Sequence, residues 1–231
     1  MLPKVIIHNS ISLDGSLTGF ELNMGLHYQI AGDYKPAVHL IGSNTAKVGV
    51  ELFGNGVPPE EPSDFQKPKR DKSFPYWAIL DTKGIMKGLL HACRRFEFCR
   101  DVVVLISETT PKEYVSYLEK RNYDYFVVGD EHVDLRQALE LFSVKFKAKK
   151  VLTDTGRILG NLLLKQGLVD EVSLLVHPVI VGEKSYNVFG NISQNPKLNF
   201  GNKRNSIKDS FGWFTKSPTK VKLRFLGKSL I

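Results

Sequence analysis

The sequence has very little cysteine and no long hydrophobic run. Its only cysteines are Cys93 and Cys99, and neither has histidine partners at the spacing of a metal site. We therefore predict no disulfide scaffold, no zinc finger and no metal centre, and we expect a protein of the reducing cytoplasm. No stretch of about eighteen apolar residues occurs, and the chain turns polar after Ile7, so neither a membrane span nor a secretory signal is expected.

Two common nucleotide-binding fingerprints are also missing. The sequence contains neither GxxxxGK[ST] nor GxGxxG, which excludes a P-loop and a standard dinucleotide fingerprint. Hydrophobic residues nevertheless make up 42% of the chain, which predicts a packed core and excludes wholesale disorder. The 231 residues show no internal repeat and no boundary that separates a second core, so a single domain over residues 1–231 is predicted.

Acidic residues are nearly absent from the last part of the chain. From Lys197 to Ile231 nine Lys and Arg residues face one acid, Asp209, whereas the rest of the chain is balanced in charge. This excess fits a solvated face, a site for an anionic ligand or a nucleic-acid surface, in that order of preference. Val221, Leu223 and Phe225 alternate with basic residues, which predicts a strand rather than a disordered arm.

Short apolar runs alternate with helical patterns over most of the sequence. Helices are predicted from Pro111 to about Arg121, after the N-cap residue Asp134, and from about Thr155 to Gly167. This alternation predicts an α/β fold, a single three-layer domain with a mostly parallel central sheet flanked by helices. After Pro178 the helical periodicity ends, and an antiparallel C-terminal edge is expected. The apolar runs predicted as strands begin at Val5, Val38, Trp77, Val102, Tyr125, Val151 and Val172.

A long proline-rich loop at about residues 54–76 interrupts this pattern. It holds five of the eleven prolines and the charged run from Lys67 to Lys72. Loops of this length are uncommon inside compact domains and are usually functional or disordered. The sequence leaves a binding lid and a disordered insertion open as alternatives.

Polar residues follow the predicted strands, at the edge where open parallel sheets bind ligands. Glycine with Ser or Thr at a strand-to-helix junction favours phosphate, because free backbone N–H groups and the helix dipole face the anion. Two such junctions, residues 41–45 and 154–157, predict a nucleotide ligand. The residues at the predicted strand ends include Asn9, Ser12, Asp14, Gly42, Thr45, Asp81, Ser107, Asp130, Asp154 and Gly156.

Three segments resemble a known enzyme family. Residues 12–15 resemble its S-x-D-G segment, residues 41–45 its G-x-x-T segment, and residues 151–182 its V-L-V-E-G-G-x-x-L…G-L-V-D-E…P-x-x-x-G signature. The family is the riboflavin-biosynthesis pyrimidine reductase domain, the C-terminal half of RibD. The resemblance implies a dihydrofolate-reductase-like fold, a homodimer and an NAD(P)H-dependent oxidoreductase. It implies NADPH, with NADH also accepted, and reduction of the ribosyl group of a ribosylamino-pyrimidine 5′-phosphate to ribityl.

The resemblance also implies roles for individual residues. Cofactor binding is assigned to Gly42, Thr45, Ser107, Gly156, Arg157, Ile158 and Leu159, and substrate binding to Asn9, Ser12 and Asp14. The reaction needs a carboxyl that supplies a proton, and the available acids are Asp154, Asp14 and Glu51. Asp14 as a turn residue and Asp154 as a helix cap remain open alternatives. Four donors near the adenosine ribose, Ser107, Thr109, Thr110 and Lys112, against the single acid Glu108 favour NADPH.

The sequence departs from the family at the substrate end. The family's E-G-G reads Asp154-Thr155-Gly156, and the Asp expected after the G-x-x-T segment is replaced by Gly49. The arginines that grip the ribose phosphate have no clear counterpart between Asp14 and Gly42. A reductase of the same fold that acts on a pterin such as dihydrofolate is therefore the alternative. A nucleic-acid-binding protein that uses the basic C-terminal segment is less favoured. His8, His39 and His177 are interpreted as core or edge residues.

Overall fold

The computed structural model describes residues 1–53, 56–192, 199–200 and 220–225. The chain divides into two compact units by its internal contacts. The first comprises Met1–Pro3 and Tyr34–Thr153, and the second Lys4–Asp33 and Asp154–Ile231. Both are built from parallel strands and helices, which confirms the predicted α/β class; the single domain stays a prediction.

The secondary-structure elements alternate along the described residues. The strands are β1 (Lys4–Ser12), β2 (Val38–Gly42), β3 (Tyr76–Leu80), β4 (Val102–Ile106), β5 (Asp124–Val127), β6 (Lys150–Thr153), β7 (Glu171–His177), β8 (Asn199–Phe200) and β9 (Lys220–Phe225). The helices are α1 (Met24–Asp33), α2 (Ser43–Phe53), α3 (Leu90–Arg95), α4 (Lys112–Lys120), α5 (Leu135–Lys145) and α6 (Arg157–Lys165).

The first unit is a parallel sheet with the strand order β5-β4-β3-β2-β6. Its central strands are continuous apolar runs because both of their faces are buried, and all five residues of β4 are buried. Ile79, Val104 and Leu118 belong to its core and are fully buried. Since parallel strands share one direction, the segments that follow β3, β4 and β5 lie at the same edge of the sheet.

The second unit pairs β1 with β7, β7 with β9 and β9 with β8, all in parallel. The expected antiparallel C-terminal edge is therefore wrong. Strand β9 runs beside β7 in the register Glu171↔Lys220 to Val176↔Phe225. A parallel neighbour needs a long crossover, whereas a hairpin needs only a short turn, and the long connection from His177 to Lys220 permits the crossover.

The residues at the ends of three helices show why these helices begin and end where they do. Pro111 occupies the N-cap position of α4, one residue before its first turn, and makes no side-chain capping bond. The Asp134 carboxylate accepts a hydrogen bond of 2.9 Å from the Gln137 N–H at the start of α5. Helix α6 ends at Lys165 and is followed by Gly167 with a φ of 65°, a conformation that glycine adopts without strain.

The described part of the proline-rich loop, residues 56–75, is tied to the first unit by charged contacts. Arg121 forms two hydrogen bonds of 2.6 Å to Glu60, and Arg95 binds both carboxylate oxygens of Asp64. Arg94 donates a 2.6 Å hydrogen bond to the Asp64 carbonyl. These contacts argue against a disordered insertion over residues 56–75.

Two basic residues of the C-terminal segment are paired with acids. Lys222 Nζ lies 2.6 Å from the buried Glu171 carboxylate, and Arg224 Nη1 lies 3.6 Å from Asp33. Both residues belong to β9, which confirms the strand predicted from alternation. Apart from residues 199–200 and 220–225, the basic segment lies outside the described residues. Among the helices described, none is long and apolar enough to cross a membrane.

Candidate active site

Asp154 follows β6 and faces a histidine of α1. The Asp154 Oδ2 atom lies 3.6 Å from His27 Nε2, and the two side chains are only 14% and 7% exposed. On the other side of the ring, His27 Nδ1 lies 3.0 Å from Ser10 Oγ in β1. Ser10 is buried inside its strand, so its hydroxyl orients the imidazole and is not open to attack a substrate. Carboxylate and imidazole together can hold and transfer a proton.

Two further histidines surround this pair. The ring centroid of His8 is 4.5 Å from that of His27, and His8 Nδ1 lies 3.1 Å from Ser173 Oγ. Burial and, to a smaller extent, the neighbouring His27 lower the pKa of His8 to about 3. The charge of Asp154 acts in the opposite direction but does not outweigh them. Burial and His27 also lower the pKa of His177. Both rings are therefore neutral at neutral pH, and both are buried, as the sequence indicated.

Asp14 is held by the backbone that follows β7. Its carboxylate accepts hydrogen bonds from Ser12 Oγ at 2.5 Å, Gly182 N at 2.8 Å and Val181 N at 3.2 Å. These hydrogen bonds, with that from Ser12 the largest contribution, lower the pKa of Asp14 to about 2. An ionised carboxylate accepts hydrogen bonds and cannot donate a proton, so Asp14 is suited to orienting groups rather than to acid catalysis.

Asn9 and Ser12 lie inside β1 rather than after it, because the strand continues to Ser12 in register with β7. The Ser12 hydroxyl is buried and is used within the fold, accepting a 2.8 Å hydrogen bond from the Ser16 N–H. The Nδ2 atoms of Asn9 and of Asn161 in α6 are buried without a hydrogen-bond partner among the described residues. Such donors cost free energy, which makes both amides candidates for binding an acceptor atom of a ligand.

The start of α6 is open in the way an anion site requires. Gly156 is the N-cap residue and no side chain caps the helix. A Cβ at Gly156 would meet only Leu17, at 3.8 Å. Ile158 is exposed and Leu159 is buried, so Leu159 can reach a ligand only through its backbone. Arg157 is the first residue of α6, and its guanidinium lies 4.3 Å above the Tyr186 ring. The first turn of a helix leaves backbone N–H groups without intrahelical partners, and its dipole favours an anion there.

The remaining predicted residues lie in the first unit. Gly42 ends β2 and Thr45 lies in the first turn of α2, as the junction predicted. Glu51 lies near the far end of α2, where it is half exposed and its Oε1 atom is 3.8 Å from Lys47 Nζ. The Ser107 hydroxyl is buried and donates to the Glu131 carbonyl at 3.2 Å, which closes the turn after β4.

A cleft of about 420 Å³ lies at the carboxyl ends of β3, β4 and β5. It is lined by Thr82, Lys83, Thr109, Pro111, Glu131 and His132. Glu108 is exposed and lies outside this lining, whereas Lys83 belongs to it. Lys112, the cation that the sequence analysis places near an adenosine phosphate, does not line this cleft.

Sequence reasoning missed His27 entirely and interpreted His8 only as a core or edge residue. No spacing motif connects residues 8, 10, 27 and 154, because they come from three separate segments. The only available signal was the unusual polar triplet His8-Asn9-Ser10 inside an apolar strand.

The chain belongs to the RibD C-terminal domain family, whose model matches residues 3–209. It is 36% identical over 80 residues to 2,5-diamino-6-ribosylamino-4(3H)-pyrimidinone 5′-phosphate reductase of Methanothermobacter thermautotrophicus. That match covers 35% of this chain and 36% of the relative, so it spans about a third of the curated relative's length.

Solved structures with this fold confirm the predicted dihydrofolate-reductase-like architecture. A pyrimidine reductase-like protein from Corynebacterium diphtheriae has a TM-score of 0.59 and 17% identity, over 83% of this chain and 81% of that chain. The riboflavin biosynthesis reductase Rib7 of Saccharomyces cerevisiae has a TM-score of 0.56 and 18% identity, over 84% of this chain and 81% of that chain. At these identities the likeness concerns the fold alone.

Proposed function

We propose that this protein is an NADPH-dependent reductase of riboflavin biosynthesis. Its substrate is a ribosylamino-pyrimidine 5′-phosphate, and its reaction reduces the ribosyl group to ribityl. The observation that carries the proposal is membership of the RibD C-terminal domain family over residues 3–209. The name of the archaeal relative supports the substrate class. A homodimer remains a prediction, which sedimentation of the purified protein tests.

The start of α6 fits the pyrophosphate of a dinucleotide. The uncapped first turn offers backbone N–H groups, Gly156 leaves room for close approach, and Arg157 adds positive charge. The sequence resemblance assigns Gly42 and Thr45 to the same cofactor, and variants of these residues test that assignment separately. When bound, the nicotinamide supplies a hydride, which is the difficult part of the reaction.

The residues of the second unit supply the rest of the chemistry. Opening the ribose ring releases an oxygen that must take up a proton. Asp154 is the carboxyl that we assign to this transfer, because it lies two residues before Gly156 and faces His27. Asp14 orients the segment that follows β7, and the amides of Asn9 and Asn161 offer donors to substrate oxygens.

Binding and turnover measured together test this function. The purified protein is titrated with NADPH and with NADH, and its turnover is measured with the pyrimidine phosphate and with dihydrofolate. We expect NADPH binding and turnover of the pyrimidine phosphate only. Turnover of dihydrofolate would transfer the assignment to pterins, and salt-sensitive binding of nucleic acid without cofactor affinity would overturn it.

Gly156→Val tests the cofactor turn. Because its Cβ has ordinary space in the protein, the variant should fold and should weaken NADPH binding by about ten-fold or more, or about 1.4 kcal/mol. Gly32→Val is the matched control, since a Cβ at Gly32 in α1 meets nothing within 4 Å. Unchanged NADPH affinity in folded Gly156→Val would remove this turn from the site.

Asp154→Asn tests the proton transfer. The change keeps the size of the side chain, so NADPH affinity should stay nearly constant while turnover falls by roughly 10²-fold. The turnover of Glu51→Gln is measured for comparison, because Glu51 is the alternative acid in the sequence analysis. Loss of turnover in Glu51→Gln with normal turnover in Asp154→Asn would reverse the assignment.

A further inference from the structure

The His27 imidazole is held in place from both sides by polar atoms. Ser10 Oγ lies 3.0 Å from Nδ1 and fixes the ring, and Nε2 then faces Asp154 Oδ2 at 3.6 Å. The His27 side chain is only 7% exposed, whereas a histidine on the surface of a helix is usually much more accessible to solvent. A buried imidazole beside a carboxylate is a site that can store one proton.

The other titratable groups that face His27 do not compete for this proton. His8 from β1 and His177 from β7 are both disfavoured as cations by burial and by their proximity to His27. From α1 itself, the Tyr28 ring meets the imidazole edge-on, with the centroids 5.2 Å apart. The His27 Nε2 atom lies 3.6 Å from the Asp154 carboxylate, so these two side chains are the pair placed to share a proton.

We propose that His27 is a positioning residue that holds, together with Asp154, the proton consumed by the reduction. The proposal rests on the reductase function given above. The hydride of the cofactor forms the new C–H bond at the sugar carbon, and the bond from that carbon to the ring oxygen breaks. The proton leaves the His27–Asp154 pair for the released oxygen, so the pair changes from net neutral to one negative charge, and solvent restores the proton.

This role explains how an aspartate works where the family has a glutamate. The side chain of Asp154 is shorter by one methylene, and His27 lies directly behind its carboxylate. Ser10 prevents the ring from turning away, because its hydroxyl occupies the opposite nitrogen. The three residues thus fix the direction of the carboxylate as well as its charge.

Titration of the free protein tests the pairing without any cofactor or substrate. NMR titration follows the His27 imidazole in the wild type and in Asp154→Asn, and the Asp154 carboxyl carbon in the wild type and in His27→Gln. We expect the His27 midpoint to fall and the Asp154 midpoint to rise, each by about one pH unit. His39→Gln, a buried histidine of β2, is the control and should move neither midpoint. Unmoved midpoints in folded variants would overturn the proposal.

The pH dependence of turnover tests the role in the reaction. Two side chains share the proton in the wild type and only the carboxyl remains in His27→Gln, so turnover should extend to higher pH in the wild type. The high-pH limb should therefore move down by at least about one pH unit in His27→Gln. His27→Asn keeps an amide near the Nδ1 position and should show the same shift with its contact to Ser10 retained.

The two proposals fail in different ways. An identical pH limb in wild type and His27→Gln would overturn the role of His27, even if the midpoints move. If the wild type reduces neither the pyrimidine phosphate nor dihydrofolate, the reductase function fails, and the NMR midpoints alone then decide whether His27 and Asp154 share a proton.

Discussion

The Asp14 carboxylate receives the backbone N–H of Gly182 at 2.8 Å, a contact between residues that are far apart in the sequence. Gly182 has a φ of 75°, so the chain turns sharply at the point where the carboxylate holds it. Asp14 itself precedes Gly15, which has a φ of 82°. One ionised side chain therefore fixes two tight turns of the second unit.

Asp14→Asn should loosen the turn after β7. Hydrogen bonds to a charged acceptor are about twice as strong as neutral ones, so the Val181 and Gly182 amides should exchange roughly ten-fold faster in the variant. In the wild type the same loosening should appear as pH falls from the ordinary pKa of an unfolded aspartate towards about 2, because the pKa of folded Asp14 is lowered. Native-state hydrogen exchange measures both effects. Equal exchange rates in both proteins would show that the carboxylate does not hold this turn.

Elements with a local signal could be predicted from the sequence. Helix α5 begins after Asp134 because the Asp134 carboxylate caps the first turn of that helix. Helix α6 ends before Gly167 because glycine adopts the positive φ of the following turn without strain. The direction of β9 could not be predicted, since alternation is the same in parallel and antiparallel strands. Direction depends on the path of the long connection from His177 to Lys220.

The candidate site could be predicted only in part, because some of its contacts are local in sequence and others depend on long-range packing. The junction at Gly156 is local in sequence, and it has the open N-terminal geometry that was expected. The contact between His27 and Asp154 depends on the packing of α1, for which the sequence showed no pattern. Asn9 was expected after its strand, but β1 buries it because pairing with β7 outweighs the polarity of the side chain.

Asp64→Asn should destabilise the first unit. The Asp64 side chain is only 5% exposed, and it receives hydrogen bonds from Arg95 Nε at 2.8 Å and from Nη2 at 2.5 Å. Removing its charge leaves Arg95 with the contacts to the Pro59 carbonyl at 3.1 Å and to Glu61 at 3.8 Å, so the free energy of unfolding should fall by about 1–3 kcal/mol at neutral pH. Urea unfolding measures this difference.

The effect of Asp64→Asn should also depend on pH. The hydrogen bonds from Arg95 lower the pKa of Asp64, so its stabilising effect is complete above the pKa of an unfolded aspartate. The effect is lost as pH falls through the lower pKa of the folded state, and the two proteins should then converge in stability. Asp71→Asn in the same loop is the control, because Asp71 is exposed and its carboxylate accepts a hydrogen bond from Ser73, two residues further on. A difference that persists in acid would contradict the ionic origin of the effect.

Glu171→Gln should weaken the attachment of β9. The Glu171 carboxylate is 1% exposed and lies 2.8 Å from Lys4 Nζ and 2.6 Å from Lys222 Nζ. Loss of its charge removes both pairs, and the free energy of unfolding should fall by about 1–3 kcal/mol. Amides of residues 220–225 should exchange faster in Glu171→Gln and in Lys222→Met. The exposed Glu183→Gln should behave as the wild type, and slow exchange in both test variants would show that β9 is held by its backbone pairing alone.

Lys83→Gln should reduce the preference for NADPH over NADH. Lys83 lines the cleft at the carboxyl ends of β3, β4 and β5, where the sequence resemblance expects the adenosine ribose. The 2′-phosphate of NADPH carries negative charge that an exposed lysine attracts, whereas the 2′-hydroxyl of NADH does not. We expect the wild-type preference to be below about 100-fold, and Lys83→Gln to weaken NADPH binding by about ten-fold with NADH unchanged.

Glu108→Gln is the matched control, because Glu108 is exposed outside the lining of this cleft and should leave the preference unaltered. If the cofactor preference changes in Glu108→Gln but not in Lys83→Gln, the 2′-phosphate would be assigned to the turn after β4 instead of the cleft. A strong preference of the wild type for NADH would mean that neither place binds a 2′-phosphate.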